Sequence, residues 1–368
     1  MHDVTIKPQW TIRRSGGEAL PPHAIELLVR ISSDGSLLAA CQSLGLSYRH
    51  AWHLIHQAEA AFGDPLVVMA RGKGSRLTPL GEKLVWADRR INARLSPVLD
   101  SLASELGAEI ERLLAPGQPL LRVHANHGFA VETLRPYLMR AAVPTEFKYC
   151  GSVEAVAALH EGACDVAGFP VPIGEFEAAV LAHYEPWLAS PSLRLIHVST
   201  RRQGLMVAAG NPQKVYDLTD LVRPGVRFIN RQLGSGTRLL LDLLLRKLGI
   251  AHERINGYEQ CELTHAAVAA FVASGMADVA YGIETPARQF KLDFIPSQIE
   301  RYFFLCHERS LATPEVETLQ GILRSDAYRE AVNLLPGYQA DNCGRVMTLA
   351  QAFDTWRGDL ALPSAPSI

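Results

Sequence analysis

The stretch SLLAACQSLGLSYRHAWHLIHQAEAAFGDPLVVMARGKGSRLTPLGEKL, residues 36–84, decides what kind of chain this is. Ser36 opens a short apolar helix, and Gly45 stops it because glycine enters the left-handed conformation at little steric cost. Ser47 opens a second helix that runs to about Phe62 and ends at Gly63-Asp64-Pro65. Residues 66–70 read as a strand, 71–74 as a turn, and Arg76-Leu77 as a short return strand. Thr78-Pro79 then starts a long helix whose apolar positions 80, 84, 87, 91, 95, 98, 102 and 106 form one stripe. Pro97 falls inside that stripe, so a kink or a break is expected there. Helix, turn, helix, basic hairpin and long helix, in this order, describe a winged helix-turn-helix that reads double-stranded DNA.

The physical logic assigns roles within that module. Ala39, Ala40 and Ala51 are small enough for a close helix crossing, and Leu38, Leu46 and Ile55 are expected to fill the core between the helices. Ser47, Tyr48, Arg49, His50 and His53 are left near the exposed start of the reading helix. Arg49 suits a bidentate contact to guanine, and Ser47 and Tyr48 suit phosphate. Arg71, Lys73 and Arg76 place cations on the wing, beside the phosphates. Trp52 is expected in the core, with contact in the DNA groove as the alternative. His50, His53 and His56 are three apart and drift around a helix by about 60° per step, so they do not converge on one metal ion. The whole chain carries a net charge of only −2, yet residues 71–94 hold seven basic side chains against Glu82 and Asp88.

Outside the module the chain changes character. Its 368 residues exceed one ordinary domain, and 48% apolar content supplies packed cores. Upstream, residues 9–14 alternate like a short strand, and residues 23–31 carry a helical stripe behind Pro21-Pro22. Six cysteines without a C-x-x-C pair, no apolar leader and no stretch of about 20 apolar residues lead to the expectation of a reduced, cytoplasmic protein with no membrane span. Beyond Ala115-Pro116-Gly117-Gln118-Pro119, strand and helix signals alternate, as in a parallel α/β sheet. Residues 154–167 and 266–280 echo one another: an alanine-rich helix, a glycine, then Asp-Val-Ala entering a buried strand. Two similar lobes are expected.

Each lobe offers candidate ligand groups at its βα turns, where ligands of α/β sheets bind. In the first lobe these are Asn126, His127 and Ser152; in the second they are Ser235, Gly236, Thr237 and Arg238 of a glycine loop, with Thr264 and His265. Amides at helix starts and hydroxyl donors suit an anion. Arg238 either contacts it or pins the loop. No lysine stands at a P-loop position, and neither a nucleophile elbow nor metal-ligand spacing is present, so no catalysis, cofactor or metal is expected.

Gly45-Leu46-Ser47-Tyr48-Arg49-His50-Ala51-Trp52, then Phe62-Gly63-Asp64-Pro65-Leu66 and Leu77-Thr78-Pro79-Leu80-Gly81-Glu82, resemble the N-terminal domain of molybdate-responsive ModE-type regulators. They are also similar to the LysR-type winged helix. The resemblance covers about residues 9–105 and implies a homodimer joined through the helix of residues 79–106, with a tetramer as the larger option. The second half resembles the periplasmic-binding-protein-like (PBP-like) fold over about residues 118–345, on residues 230–241, Gly257-Tyr258 and residues 264–282. That resemblance implies two lobes closing on a small anion, with residues 204–210 and 301–307 crossing between them. Relatives combining the two halves are associated with molybdenum enzymes such as formate dehydrogenases. Molybdate, tungstate and formate are therefore the effectors implied, and the sequence does not choose among them. The expected organisation is residues 1–78 for DNA binding, 79–117 as linker helix, 118–345 as effector domain and 346–368 as a C-terminal segment. The expected function is a transcription regulator that senses a small anion. The alternative is an anion-binding protein or enzyme with an accessory DNA-binding head.

Overall fold

A computed structural model describes residues 2, 4–13, 19–21, 23–70 and 74–356. Arg71 and Lys73, expected on the wing, lie outside the described residues. The chain divides into two compact units, one formed by Lys7–Ser96 and the other by the chain from Pro97 together with the first residues.

In the first unit, α1 (Ala24–Asp34), α2 (Leu37–Leu44) and α3 (Tyr48–Phe62) precede the hairpin β1 (Val67–Ala70) and β2 (Gly74–Leu77). The helix ends follow the sequence. Ser36 Oγ accepts the amide of Ala39, Ser47 Oγ accepts that of His50, and Gly45 closes α2 at φ 65°. Ser75 Oγ accepts the Leu37 amide at 3.0 Å, which ties the hairpin to the start of α2. Ala40 and Ala51 are fully buried at the helix crossing, and Ile55 lies with them in one core. Leu38 does not join it: it is 59% exposed, because one helical step turns it off the face that Leu37, Ala40 and Cys41 bury. The expected strand of residues 9–14 reduces to one antiparallel bridge, Arg13 to Ala19, steadied by the Leu20 amide on Ile12 O at 2.8 Å.

Helix α4 (Pro79–Leu114) runs for 36 residues, and Pro97 does not break it. The boundary between the compact units nevertheless falls at Ser96/Pro97. Thr78 Oγ1 accepts the Gly81 amide at the helix start, as its position before Pro79 suggests.

The second unit is built on one sheet. Its first lobe comprises β3 (Leu121–Ala125), α5 (Phe129–Arg140), β4 (Thr145–Tyr149), α6 (Ser152–His160), β5 (Val166–Pro172), α7 (Glu177–Ala182) and α8 (Glu185–Leu188). After β6 (Leu193–Val207) the second lobe follows as β7 (Phe228–Arg231), α9 (Gly236–Lys247), β8 (Cys261–Glu262), α10 (His265–Ala273), β9 (Val279–Ile283) and α11 (Glu284–Gln289). The chain returns through β10 (Asp293–His307), α12 (Pro314–Arg324), α13 (Asp326–Asn333), β11 (Tyr338–Gln339), β12 (Val346–Met347) and α14 (Leu349–Ala352). The strand order is β4-β3-β5-β10-β6-β9-β7-β8. Within each lobe the βαβ strands are parallel; β6 and β10 are antiparallel partners of 15 residues each. They form the crossing between lobes: β10 pairs with β5 from Glu300 to Leu305, and β6 pairs with β9 from Gln203 to Val207. The edge of β4 is covered by α4, whose Ser104 and Ser101 hydroxyls accept the Phe147 and Tyr149 amides at 2.8 and 3.0 Å.

The internal echo is a structural repeat. In the first lobe Arg122 clamps Asp165 through its backbone amide, Nε and Nη2 at 2.9, 3.1 and 2.8 Å. In the second, Arg227 clamps Asp278 through the same three groups at 2.9, 3.0 and 2.8 Å. Each aspartate is the one that opens the Asp-Val-Ala strand, so both lobes fasten the start of that strand to the start of its neighbour in the sheet, β3 for β5 and β7 for β9.

Candidate functional site

The reading helix presents the side chains expected of it. Ser47, Tyr48, Arg49, His50 and His53 are all exposed on or just before the first two turns of α3, and Arg76 is exposed on β2. Trp52 packs only partly on the core and stacks on His56 with ring centroids 4.8 Å apart. Tyr48 meets its edge at 6.3 Å, so an aromatic ladder runs along the helix surface. No cluster of metal-ligating side chains occurs among the described residues.

The second site lies where the lobes meet. On strand β6 Ser199, Arg201 and Gln203 share one face and are buried; a register shift at Val198 turns the buried His197 to the other face, against Phe303. On β10 Glu300 lies opposite Arg201 in register. Arg201 Nε donates to Glu300 Oε1 at 2.5 Å, and Gln203 Nε2 donates to Glu300 Oε2 at 2.7 Å and to Thr237 Oγ1 at 3.2 Å. Arg201 also sits 5.0 Å over the Tyr302 ring and reaches the Tyr338 hydroxyl at 3.4 Å. Burial opposes its charge, but Glu300 and the tyrosines outweigh that and hold the guanidinium firmly protonated.

Arg231, the last residue of β7, is in a different position. Its side chain is 2% exposed, its Nε and Nη1 have no hydrogen-bond partner, and no carboxylate pairs with it among the described residues. Burial first, and the Arg201 charge second, push its pKa down to about 9. His265 stands beside them at the start of α10, fully buried, with neither ring nitrogen partnered. Burial and then the charges of Arg231 and Arg201 hold it well below the usual histidine range, so it is neutral. The Arg201 Nη2 and the Ser199 hydroxyl are likewise buried without partners.

The expected ligand residues divide into groups. His265 and Thr237 belong to this cluster. Ser152 is fully buried at the first turn of α6, beside the Tyr184 hydroxyl. Gly236 begins α9 and lies against Pro170 of the other lobe; a Cβ there would stand 2.5 Å from the proline ring. His127 Nε2 lies 2.5 Å from Glu132 Oε1. Asn126 accepts the Tyr302 hydroxyl at 2.6 Å. The hydroxyls of Ser235 and Thr264 serve first as helix caps, accepting the amides of Arg238 and Ala267. Arg238 is a brace: it lies 4.0 Å over the Tyr258 ring, 3.3 Å from Asp242, and within 3.4 Å of the Arg231 and Tyr258 carbonyls. Sequence reasoning missed Arg201, Arg231, Gln203 and Glu300. The signal was present in the alternating polar residues of an otherwise apolar strand, and in the Asn230-Arg231 pair that ends β7.

The second unit now has a decided architecture, and comparison with known proteins names it. The family model described as PBP superfamily domain matches residues 137–324, just over half of the chain. The chain belongs to the PBP superfamily. Ahead of its PBP-like domain it carries a helix-turn-helix that matches the bacterial regulatory lysR family over residues 22–82. A LysR-type head followed by an effector-binding PBP-like domain is the arrangement of a DNA-binding regulator. The protein YvgK of Bacillus subtilis is 29% identical over 262 residues, covering 70% of this chain and 82% of YvgK. The molybdenum transport protein ModE of Azotobacter vinelandii is 33% identical over 94 residues, 24% of this chain and 35% of ModE. Among solved structures, an OxyR variant from Corynebacterium glutamicum aligns over 85% of this chain and 94% of its own, with 16% identity and a TM-score of 0.43. No helix among the described residues is long and apolar enough to cross a membrane.

Proposed function

We propose that this LysR-type regulator senses a small anion in the cleft between its lobes and thereby controls genes of molybdoenzymes or formate dehydrogenases. The implied effectors are a molybdate- or tungstate-type oxyanion or a formate-like carboxylate. The observation that carries the reading is Arg231, a buried cation whose Nε and Nη1 have no hydrogen-bond partner. An unpaired buried charge is costly, and an anion that enters beside it removes that cost. The free donors of Ser199 and Arg201, and the first amides of α9 and α10, add to the attraction. The working assembly in this reading is a cytoplasmic homodimer or tetramer on a roughly two-fold DNA site, with no cofactor beyond the effector. The neighbourhood of Arg231 biases the lobes between ligand-free and ligand-bound states, and that equilibrium is read at the DNA.

Two measurements test the reading. Thermal shift with molybdate, tungstate, sulfate, phosphate, formate and oxalate should give stabilisation by at least one of them, abolished in Arg231→Met. On DNA of the protein's own promoter region, Arg49→Ala should relax sequence preference at a cost of about 1–3 kcal/mol. Lys73→Ala should instead weaken all DNA binding and lower its salt dependence. A panel without any shift removes the sensor; variants without any effect on DNA binding remove the reading head.

A further inference from the structure

The reading helix holds a ring outside its first two turns that is set up to touch bases, His56. We propose that His56 reads an acceptor edge of the DNA site, of which guanine is the natural partner, as an imidazolium, so that specific binding takes up a proton. The inference rests on the DNA-reading role of α3. Ala51, Leu54, Ile55 and Ala58 form the buried side of that helix, and Arg49, His53 and His56 are exposed on the other. At about 100° per residue, these three fall within about 60° of one another, and from Arg49 to His56 they span about 10 Å, the height of about three stacked base pairs. Counted from Arg49 they stand at i, i+4 and i+7, positions from which a homeodomain reading helix also reaches the major groove.

Two contacts hold the His56 ring in place. Its face stacks on Trp52, with 25° between the ring planes. Its Nδ1 lies 3.2 Å from Glu59 Oε2, and Glu59 is anchored in turn, because its Oε1 accepts the Leu66 and Val67 amides at 2.9 and 3.3 Å. A carboxylate only accepts, so Nδ1 carries the proton there and Nε2 is left for the groove. The side chain is 65% exposed. With one ring proton Nε2 is an acceptor, which suits cytosine N4 or adenine N6; with two it is a donor, which suits N7 and O6 of guanine. Glu59 and the DNA phosphates favour the charged form, and Arg49 two turns earlier opposes it, as does His53 when it is charged. Among the described residues no side chain of α1, α2 or the hairpin bonds to the His56 ring. Histidine is the side chain whose charge changes between about pH 5 and 8, so the switch from acceptor to donor falls within an accessible range.

Base reading can be separated from phosphate attraction by comparing two duplexes of equal length, one from the protein's own promoter region and one of unrelated sequence. At constant ionic strength, affinity of the full-length protein for the promoter duplex should rise about tenfold from pH 8 to pH 6, and for the unrelated duplex about threefold or less. Calorimetric titration near pH 7 in two buffers of different ionisation heat should show net proton uptake with the promoter duplex. His56→Gln is neutral at every pH and keeps a donor, so it should bind the promoter duplex with a pH gain about threefold smaller or less. Equal gains on the two duplexes, no proton uptake, or an unchanged gain in His56→Gln overturns the proposal and leaves the reading helix standing. Arg49→Ala with full sequence preference overturns the reading helix and this proposal with it. Should His56→Gln fail to fold, the proton uptake and the contrast between duplexes in the unaltered protein decide.

Discussion

Arg231 concentrates the chemistry of the sensor in one side chain. Its folded-state pKa is pushed down to about 9 from an ordinary 12.5, because burial and Arg201 both oppose its charge. The sign follows directly: a base held below its unfolded value stabilises the fold only at high pH, and that contribution is lost as pH falls through about 9. At neutral pH the ligand-free protein therefore carries a cost that the proposed anion would relieve. Arg231→Met should raise the ligand-free stability by about 1–4 kcal/mol while abolishing the anion-induced thermal shift. In the unaltered protein that shift should fade as pH is raised past about 9, where the guanidinium loses its proton. The sequence concealed this residue for a physical reason. An arginine at a strand end is ordinarily a solvated cation, and nothing in Arg227-Phe228-Ile229-Asn230-Arg231 says that a second lobe will cover it. Thr237 was legible because it opens a helix within a glycine loop, and His265 because it begins a helix behind the capping Thr264. Arg238 was legible only as a pair of alternatives, and the aromatic ring of Tyr258, 20 residues downstream in the chain, is what turns it into a brace.

At the level of elements, the helix boundaries were the most legible feature because capping is local chemistry. Ser36, Ser47, Ser235 and Thr264 each cap as their positions suggest. Leu38 shows the limit: composition marks it as core, but on an eight-residue helix one step of 100° turns it to the surface. Helix α4 shows another, since proline in a helix removes one hydrogen bond, and the remaining bonds of 36 residues carry the helix through Pro97. That helix leaves Leu95, Val98, Leu102 and Leu106 between 40% and 48% exposed. Their spacing of three and four forms a seam suited to a second copy of the helix. In the proposed homodimer, replacing Val98 and Leu102 by glutamate should weaken dimerisation roughly hundredfold or more, seen as monomer in sedimentation velocity. Retention of the dimer at micromolar concentration would place the subunit contact elsewhere.

For the molecule as a whole, the two-lobed architecture was legible from its repeated helix-glycine-strand pattern, but the closeness of the lobes was not. Leu239 and Leu243 of α9 pack against the core of the first lobe, and Lys247 pairs with Glu175 at 2.6 Å. Gly236 and Pro170 allow that approach, because any side chain at 236 would collide with the proline ring. Gly236→Ala should hold the lobes apart and weaken anion binding about tenfold or more, with DNA binding of the ligand-free protein retained. Unchanged affinity would mean that the ligand does not need this contact. The crossing expected at residues 204–210 and 301–307 overlaps the strand pairs that join the lobes, residues 203–207 of β6 with β9 and residues 300–305 of β10 with β5. The crossing consists of two long hydrogen-bonded strands rather than loose connections, and this has a mechanical consequence. Movement of one lobe against the other must twist β6 and β10 as a torsion bar does, with their ladder intact. Angular travel is then small and elastic, and neither lobe can be cut out as an independent piece, since each half of the bar would be left with a bare edge.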